Sequence, residues 1–139
     1  MKLAIGSAQL GMEYGVANKS GKVSLKEASL IISFARSHGI SSIDTAINYG
    51  DSEKAIGIIG TKDFDIVTKL PSINNKEKNL YKTIKNHVRN SLKNLDQTHL
   101  YALLLHRPDE LLLPNGDEIW SALQAIKSEG LVSLIGYSI

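Results

Sequence analysis

Short apolar runs alternate with longer stretches of helical periodicity along this chain, and that alternation restricts its fold more than any other feature. Leu3 to Gly6 reads as a first strand, followed by a glycine-bearing loop from Gly11 to Gly21. Ser24-Leu25-Lys26-Glu27 has the form of a capping box, which opens a helix. Ala28, Ile31, Ile32 and Ala35 keep one face of it apolar, and His38-Gly39 ends it. Ile40 to Asp44 predicts a second strand and Ser52 to Ile59 a short helix stopping at Gly60. Phe64 to Lys69, closed by Pro71, predicts a third strand. Lys76 to Leu95 predicts a long helix with Leu80, Ile84, Val88, Leu92 and Leu95 on one face. Leu100 to His106 predicts a fourth strand, apolar enough to be buried on both sides. Asp117 to Glu129, stopped by Gly130, predicts a helix, and Val132 to Tyr137 a fifth strand. The order βαβαβαβαβ requires a parallel sheet with right-handed crossovers. Periodicity leaves two architectures open: an open doubly wound sheet, complete at this length, or the first five strands of a barrel. The first strand–helix turn, Gly6-Ser7-Ala8-Gln9-Leu10-Gly11, lacks the Gly-x-Gly-x-x-Gly spacing of a dinucleotide-binding turn, which weighs against the Rossmann form.

Bulk properties narrow the function classes. The 139 residues suffice for one domain with a real core. The net charge of +2 is small and its charges are interspersed, which argues against a nucleic-acid partner. Without cysteine there is no disulfide framework and no thiolate metal site. No apolar run approaches the roughly 20 residues of a membrane span, and the apolar start from Met1 is too short for a signal peptide. The expected location is the cytoplasm.

The ends of strands two, three and four carry the chemistry. Strand two stops at Asp44, with Tyr49 five residues on; strand three stops at Lys69; strand four stops at His106. In a parallel β/α fold these ends share one face, where active sites form. Each residue alone has an ordinary reading: a packed loop tyrosine, a solvated lysine, a structural histidine, an aspartate capping a turn. Together they compose a proton donor with its supports. A phenol has a reference pKa near 10, and a neighbouring ammonium is expected to lower it. A carboxylate would hold that ammonium charged, and an imidazole would orient a substrate oxygen. Such a set gives a proton to a carbonyl oxygen while hydride reaches its carbon. No side chain supplies hydride, so a cofactor must. A metal-dependent hydrolase built on Asp44, Asp51, Glu53 and His106 is the weaker reading, because His38, His87, His99 and His106 are scattered. Trp120 is expected in the core. Tyr14 is expected to be an ordinary loop tyrosine, the alternative being that it borders a substrate pocket. Gly57 and Gly60 are expected to mark a helix end.

These residues resemble the aldo-keto reductases. Asp44-Thr45-Ala46-Ile47-Asn48-Tyr49-Gly50-Asp51-Ser52-Glu53 is similar to that family's Asp-Thr-Ala-x-x-Tyr-Gly-x-Ser-Glu signature. Ile66 to Lys69 resembles the strand carrying its lysine, and Leu103 to Pro108 the one carrying its histidine. Gly6 to Gly11 and Ile135 to Ser138 resemble its first and fifth strands. The resemblance implies a parallel (β/α)₈ TIM-type barrel that binds NADPH without a Rossmann domain and reversibly reduces a small aldehyde or ketone. It implies Tyr49 as general acid, Lys69 and Asp44 as the pair tuning it, and His106 as the guide of the carbonyl. It also implies Ser7, Ala8, Asp44 and Ser138 near the nicotinamide. Ile139 stands where the family usually has asparagine. A full barrel needs about 250 residues, so residues 1–139 are expected to form a partial barrel with only the first five strands. The loops that grip the cofactor phosphates are then expected to lie outside them. Two open parallel edges invite association, and the chain standing alone is expected to be a homo-oligomer. The alternative to an active reductase is an inactive truncated relative persisting as an assembly module.

Overall fold

Five strands run parallel in one sheet, ordered along it as they occur in the chain. They are β1 (Ile5–Gly6), β2 (Ser42–Asp44), β3 (Asp65–Leu70), β4 (Leu100–Leu105) and β5 (Val132–Tyr137). The intervening helices are α1 (Ala8–Gly11), α2 (Leu25–Ser37), α3 (Ser52–Ile59), α4 (Leu80–Leu95) and α5 (Gly116–Ser128). The computed structural model describes residues 3–73 and 77–139. The consecutive strand order decides between the two architectures. A doubly wound sheet reverses its order at a switch point, whereas a barrel adds each strand beside the last. This is a five-stranded part of a barrel.

Local signals place most boundaries. Ser24 caps α2, its Oγ accepting from the Glu27 N–H at 3.2 Å, and Gly39 takes the positive φ that ends it. α3 and β5 fall where the periodicity puts them. The long helix begins at Leu80 behind Asn79, whose side chain accepts from the Lys82 N–H; Lys76, its expected first residue, lies outside the described residues. Its face of Leu80, Ile84, Val88, Leu92 and Leu95 is buried as expected. Other expectations need correction. The first loop begins with the short helix α1, and a 3₁₀ turn spans Pro108–Leu112. Ile31 is exposed, because only Ala28, Ile32 and Ala35 of α2 point into the core. Tyr101 breaks the full burial expected of β4, and Trp120 is only half-buried. Gly57 does not mark the helix end: a Cβ there would stand 2.1 Å from the Asn94 carbonyl oxygen, so it lets α3 lie against α4. Gly60, at φ 83°, does end α3.

The two faces of the sheet differ. Strand register aligns Ile43 with Ile66, Thr68 with Leu103 and Leu70 with Leu105. The apolar side chains among them meet Ile32, Ile56, Ile84, Val88, Ile119 and Leu123 of the helices in one buried core. Alternation along each strand turns Asp44, Val67, Lys69, Ala102, Leu104, Leu134 and Gly136 to the other face. That face is partly open: Leu134 on it is 45% exposed, while Lys69 and Ala102 are buried. No described helix is long and apolar enough to cross a membrane.

Candidate active site

The open face ends, at the C-terminal tips of the strands, in a set of polar side chains. Asp44 closes β2 and Lys69 sits one residue before the end of β3. His106 follows the last residue of β4 rather than belonging to the strand, and so turns out over its tip. Lys69 Nζ donates to both oxygens of Asp44, at 2.6 and 2.7 Å, and to the Thr45 carbonyl at 3.0 Å. Its three protons are thus satisfied, as a lysine only 5% exposed requires. The ammonium stands 5.4 Å from the centroid of the Tyr49 ring. On that ring the His106 imidazole sits edge-on, with centroids 5.8 Å apart and planes at 82°. The structure therefore brings all four sequence-predicted residues together.

Electrostatics correct one expectation. Tyr49 was expected to titrate below the usual phenol range; it is held above it. Burial is the main cause, followed by the negative charge of Asp44 and then by Tyr14. The Lys69 charge does not reverse this because both carboxylate oxygens of Asp44 already neutralise it. At rest the phenol keeps its proton.

The loop that presents Tyr49 is fastened from below. Ser52 Oγ donates to the Ser7 carbonyl at 2.9 Å, and lies 2.9 Å from the Ser7 hydroxyl and 3.2 Å from Thr45 Oγ1. Glu53 is buried and accepts from Thr68 Oγ1 at 2.8 Å. Gly11 and Gly50 allow α1 and this loop to touch: a Cβ on Gly11 would lie 1.7 Å from the Tyr49 carbonyl oxygen. Thr45, Ser52 and Glu53 stand inside the signature stretch and Thr68 outside it, and their fastening role is not legible in that spacing. The available signal was the polar character of positions on the sheet-facing side of a short helix.

The expected cofactor residues are placed unevenly. Ser7 is fully buried, its hydroxyl engaged by Ser52, and its N–H donates to the Asp44 carbonyl at 3.0 Å. Ala8 starts α1 beside it. Ser138 prolongs the β4–β5 ladder, donating its N–H to Leu105 at 2.9 Å, and is half-buried next to the strand tip that bears His106. Ala8, the partly exposed Asp44 side chain and Ser138 thus border the open face. A phosphate cradle is another matter. Near the strand tips Lys22 pairs with Asp51, Arg107 with Asp109 and Lys69 with Asp44. Asp51 and Glu53 are engaged away from Asp44 and His106, and among the described residues no three His, Cys, Asp or Glu side chains gather around a common point. A cavity of about 460 Å³ lies between α2 and α3, lined by Leu10, Val23, Ala28 and Ile58 among others, and includes none of the four site residues.

Comparison with known proteins decides the family. The model of the aldo/keto reductase family matches residues 2–139. The chain belongs to that family. It is 28% identical over 98% of its length to D-arabinose 1-dehydrogenase of Saccharomyces cerevisiae, of which it covers 42%. It is 33% identical over 78% of its length to the oxidoreductase YcsN of Bacillus subtilis, covering 41% of that protein. Among solved structures it superposes on PA4992 of Pseudomonas aeruginosa, described as an aldo-keto reductase, with a TM-score of 0.80 and 30% identity. That match covers 97% of this chain and 54% of PA4992. The chain spans about half the length of these relatives, and the fold of its five strands is theirs.

Proposed function

We propose that residues 1–139 form a single domain supplying the first five β/α units of an eight-unit aldo-keto reductase barrel, and that this domain carries the proton-transfer machinery of an NADPH-dependent carbonyl reductase of the cytoplasm. The observation that carries the reading is the Lys69–Asp44 pair beside Tyr49, with His106 edge-on to the same ring. Tyr49 acts as the general acid toward the oxygen of a small aldehyde or ketone. Its raised pKa keeps the phenol protonated in the resting state. As the proton leaves, phenolate forms beside the Lys69 ammonium, which Asp44 keeps protonated. His106, edge-on to the phenol ring, donates to the carbonyl oxygen and sets its approach. Ala8, Asp44 and Ser138 would hold the nicotinamide end of the cofactor, and Ser7 supports them from within. The bound nicotinamide supplies the hydride that no side chain can.

The test is the Tyr49→Phe variant of the protein carrying this chain. NADPH-linked reduction of aldehydes, followed by cofactor absorbance, is expected to fall about 10²- to 10⁴-fold, with cofactor affinity kept. A full rate in the variant would refute the role of Tyr49. A second reading, an inactive relative acting as an assembly module, draws on the partly open sheet face and the paired basic side chains at the strand tips. For residues 1–139 alone we expect NADPH binding weaker than micromolar, and self-association through the two strand edges. Micromolar or tighter binding by a compact monomer would overturn both expectations.

A further inference from the structure

We infer that the cavity between α2 and α3 is a binding site for a medium-chain carboxylate such as decanoate, its tail between the helices and its head on Lys22 and Lys54. The site does not depend on the carbonyl-reductase reading, because none of Asp44, Tyr49, Lys69 and His106 lines it. Its volume of about 460 Å³ is that of a pocket for one small molecule. Leu10 and Ala28 are buried and form its inner wall, and Val23 packs against the same core. Leu25 and Ile58 stand at its mouth, 45% and 71% exposed. Such walls give water few partners. A hydrocarbon tail laid along them would take the apolar surface of Leu25 and Ile58 out of water as well.

The charges lining the cavity are unevenly matched. Lys22 comes from the loop before α2, Asp51 stands just ahead of α3, and Lys54 lies in its first turn. Lys22 Nζ is 3.3 Å from one carboxylate oxygen of Asp51, and Lys54 Nζ is 3.5 Å from the other. Two ammoniums therefore share one carboxylate, which leaves one unit of positive charge uncompensated among the three. All three side chains are exposed, so either lysine can turn to a ligand without stranding a buried partner. The surplus matches a single carboxylate head, which each ammonium can meet with a charge-assisted hydrogen bond. The apolar walls exclude further charge from the interior. One charged end and one apolar end is the pattern of a fatty acid; a sugar or a nucleotide would need polar partners along its whole length.

The experiment is calorimetric titration of the protein carrying this chain with decanoate, decanol and butanoate. Decanoate is expected to bind at micromolar concentration, decanol more weakly, and butanoate, which lacks the tail, not measurably. Lys22→Ala and Lys54→Ala should each weaken decanoate about fivefold, the size of one exposed ion pair, and leave decanol unchanged. Asp51→Asn frees both ammoniums and should tighten decanoate about fivefold, a gain that a damaged fold would not produce. Ala55→Phe fills the cavity from α3 and should abolish binding of both ligands, whereas Tyr49→Phe should bind them as the wild type does. Equal affinity for decanoate and decanol, with the lysine variants unchanged, would overturn the site for the charged head. Decanoate binding kept in Ala55→Phe would place the ligand elsewhere and overturn the cavity. Absence of decanoate binding, together with self-association in sedimentation that Ala55→Phe abolishes, would give the cavity to a second copy of this chain and also overturn the proposal. Each of these outcomes leaves carbonyl reduction at Tyr49 to its own test.

Discussion

Two ion pairs in this chain have the same 2.6 Å separation and different surroundings. Arg36–Asp63 joins α2 to the turn before β3 with side chains 40% and 52% exposed. Lys69–Asp44 joins β3 to β2 with side chains 6% and 41% exposed. The first is a surface clamp: Arg36 also donates to the Gly60 carbonyl and lies over the Phe64 ring. Water screens it, so it fastens one turn and influences nothing beyond its own partners. The second is asymmetric. Its cation is sealed in protein and its anion reaches the open face, where its charge acts on Tyr49. Bond length does not separate a structural pair from a functional one; burial of one partner does.

That contrast can be broken by mutation. The largest loss of stability is expected for Asp44→Asn, which leaves the sealed ammonium without a counter-charge. Breaking a buried pair costs about 3–5 kcal/mol, and the half-exposed carboxylate puts the expected value near the lower end, readable by urea unfolding. Lys69→Met should cost less, about 1 kcal/mol, because the remaining Asp44 can be hydrated and the methionine fills the site. Its effect should fall on catalysis, with carbonyl reduction about a hundredfold slower. Equal stability losses in the two variants would show that the pair is as symmetric as its surface counterpart.

The next test is titration. Tyr49 holds its proton above the ordinary phenol range. A raised folded-state value contributes stability that is complete below the unfolded pKa of about 10 and is lost as pH rises through the folded one. Ultraviolet titration should show a phenol ionising above the ordinary range, absent in Tyr49→Phe, and stability should fall through that window less steeply in the variant. A phenol in Tyr49 that ionised below pH 10 would restore the lowering first expected from Lys69. The smallest effect belongs to the surface pair. Arg36 holds the Asp63 carboxyl below its usual range through a hydrogen bond, with charge attraction adding less. The stability linked to it is present above the unfolded carboxylate pKa and fades as pH falls through the lower folded value. Asp63→Asn should shift the thermal midpoint at neutral pH by no more than about 2 °C and leave activity untouched.

The chain itself determined everything that depends on neighbours in sequence. Ser24 with Glu27 starts a helix, Gly39 and Gly60 end two, and the spacing from Leu80 to Leu95 buries one side of a third, because caps and periodicity act within a turn or two. It also determined which side chains the strand tips carry, since Asp44, Lys69 and His106 follow from where apolar runs stop. Tertiary structure decided the rest. Strand order, and with it the partial barrel, depends on which strands pair across dozens of residues. The exposure of Ile31 and the helix contact at Gly57 depend on where a neighbouring element lies. Above all, only the fold shows that Asp44 grips Lys69 with both oxygens while leaving the phenol half-buried. The pKa of Tyr49 therefore moves up rather than down, because a charge already neutralised by its partner cannot also stabilise a phenolate at rest.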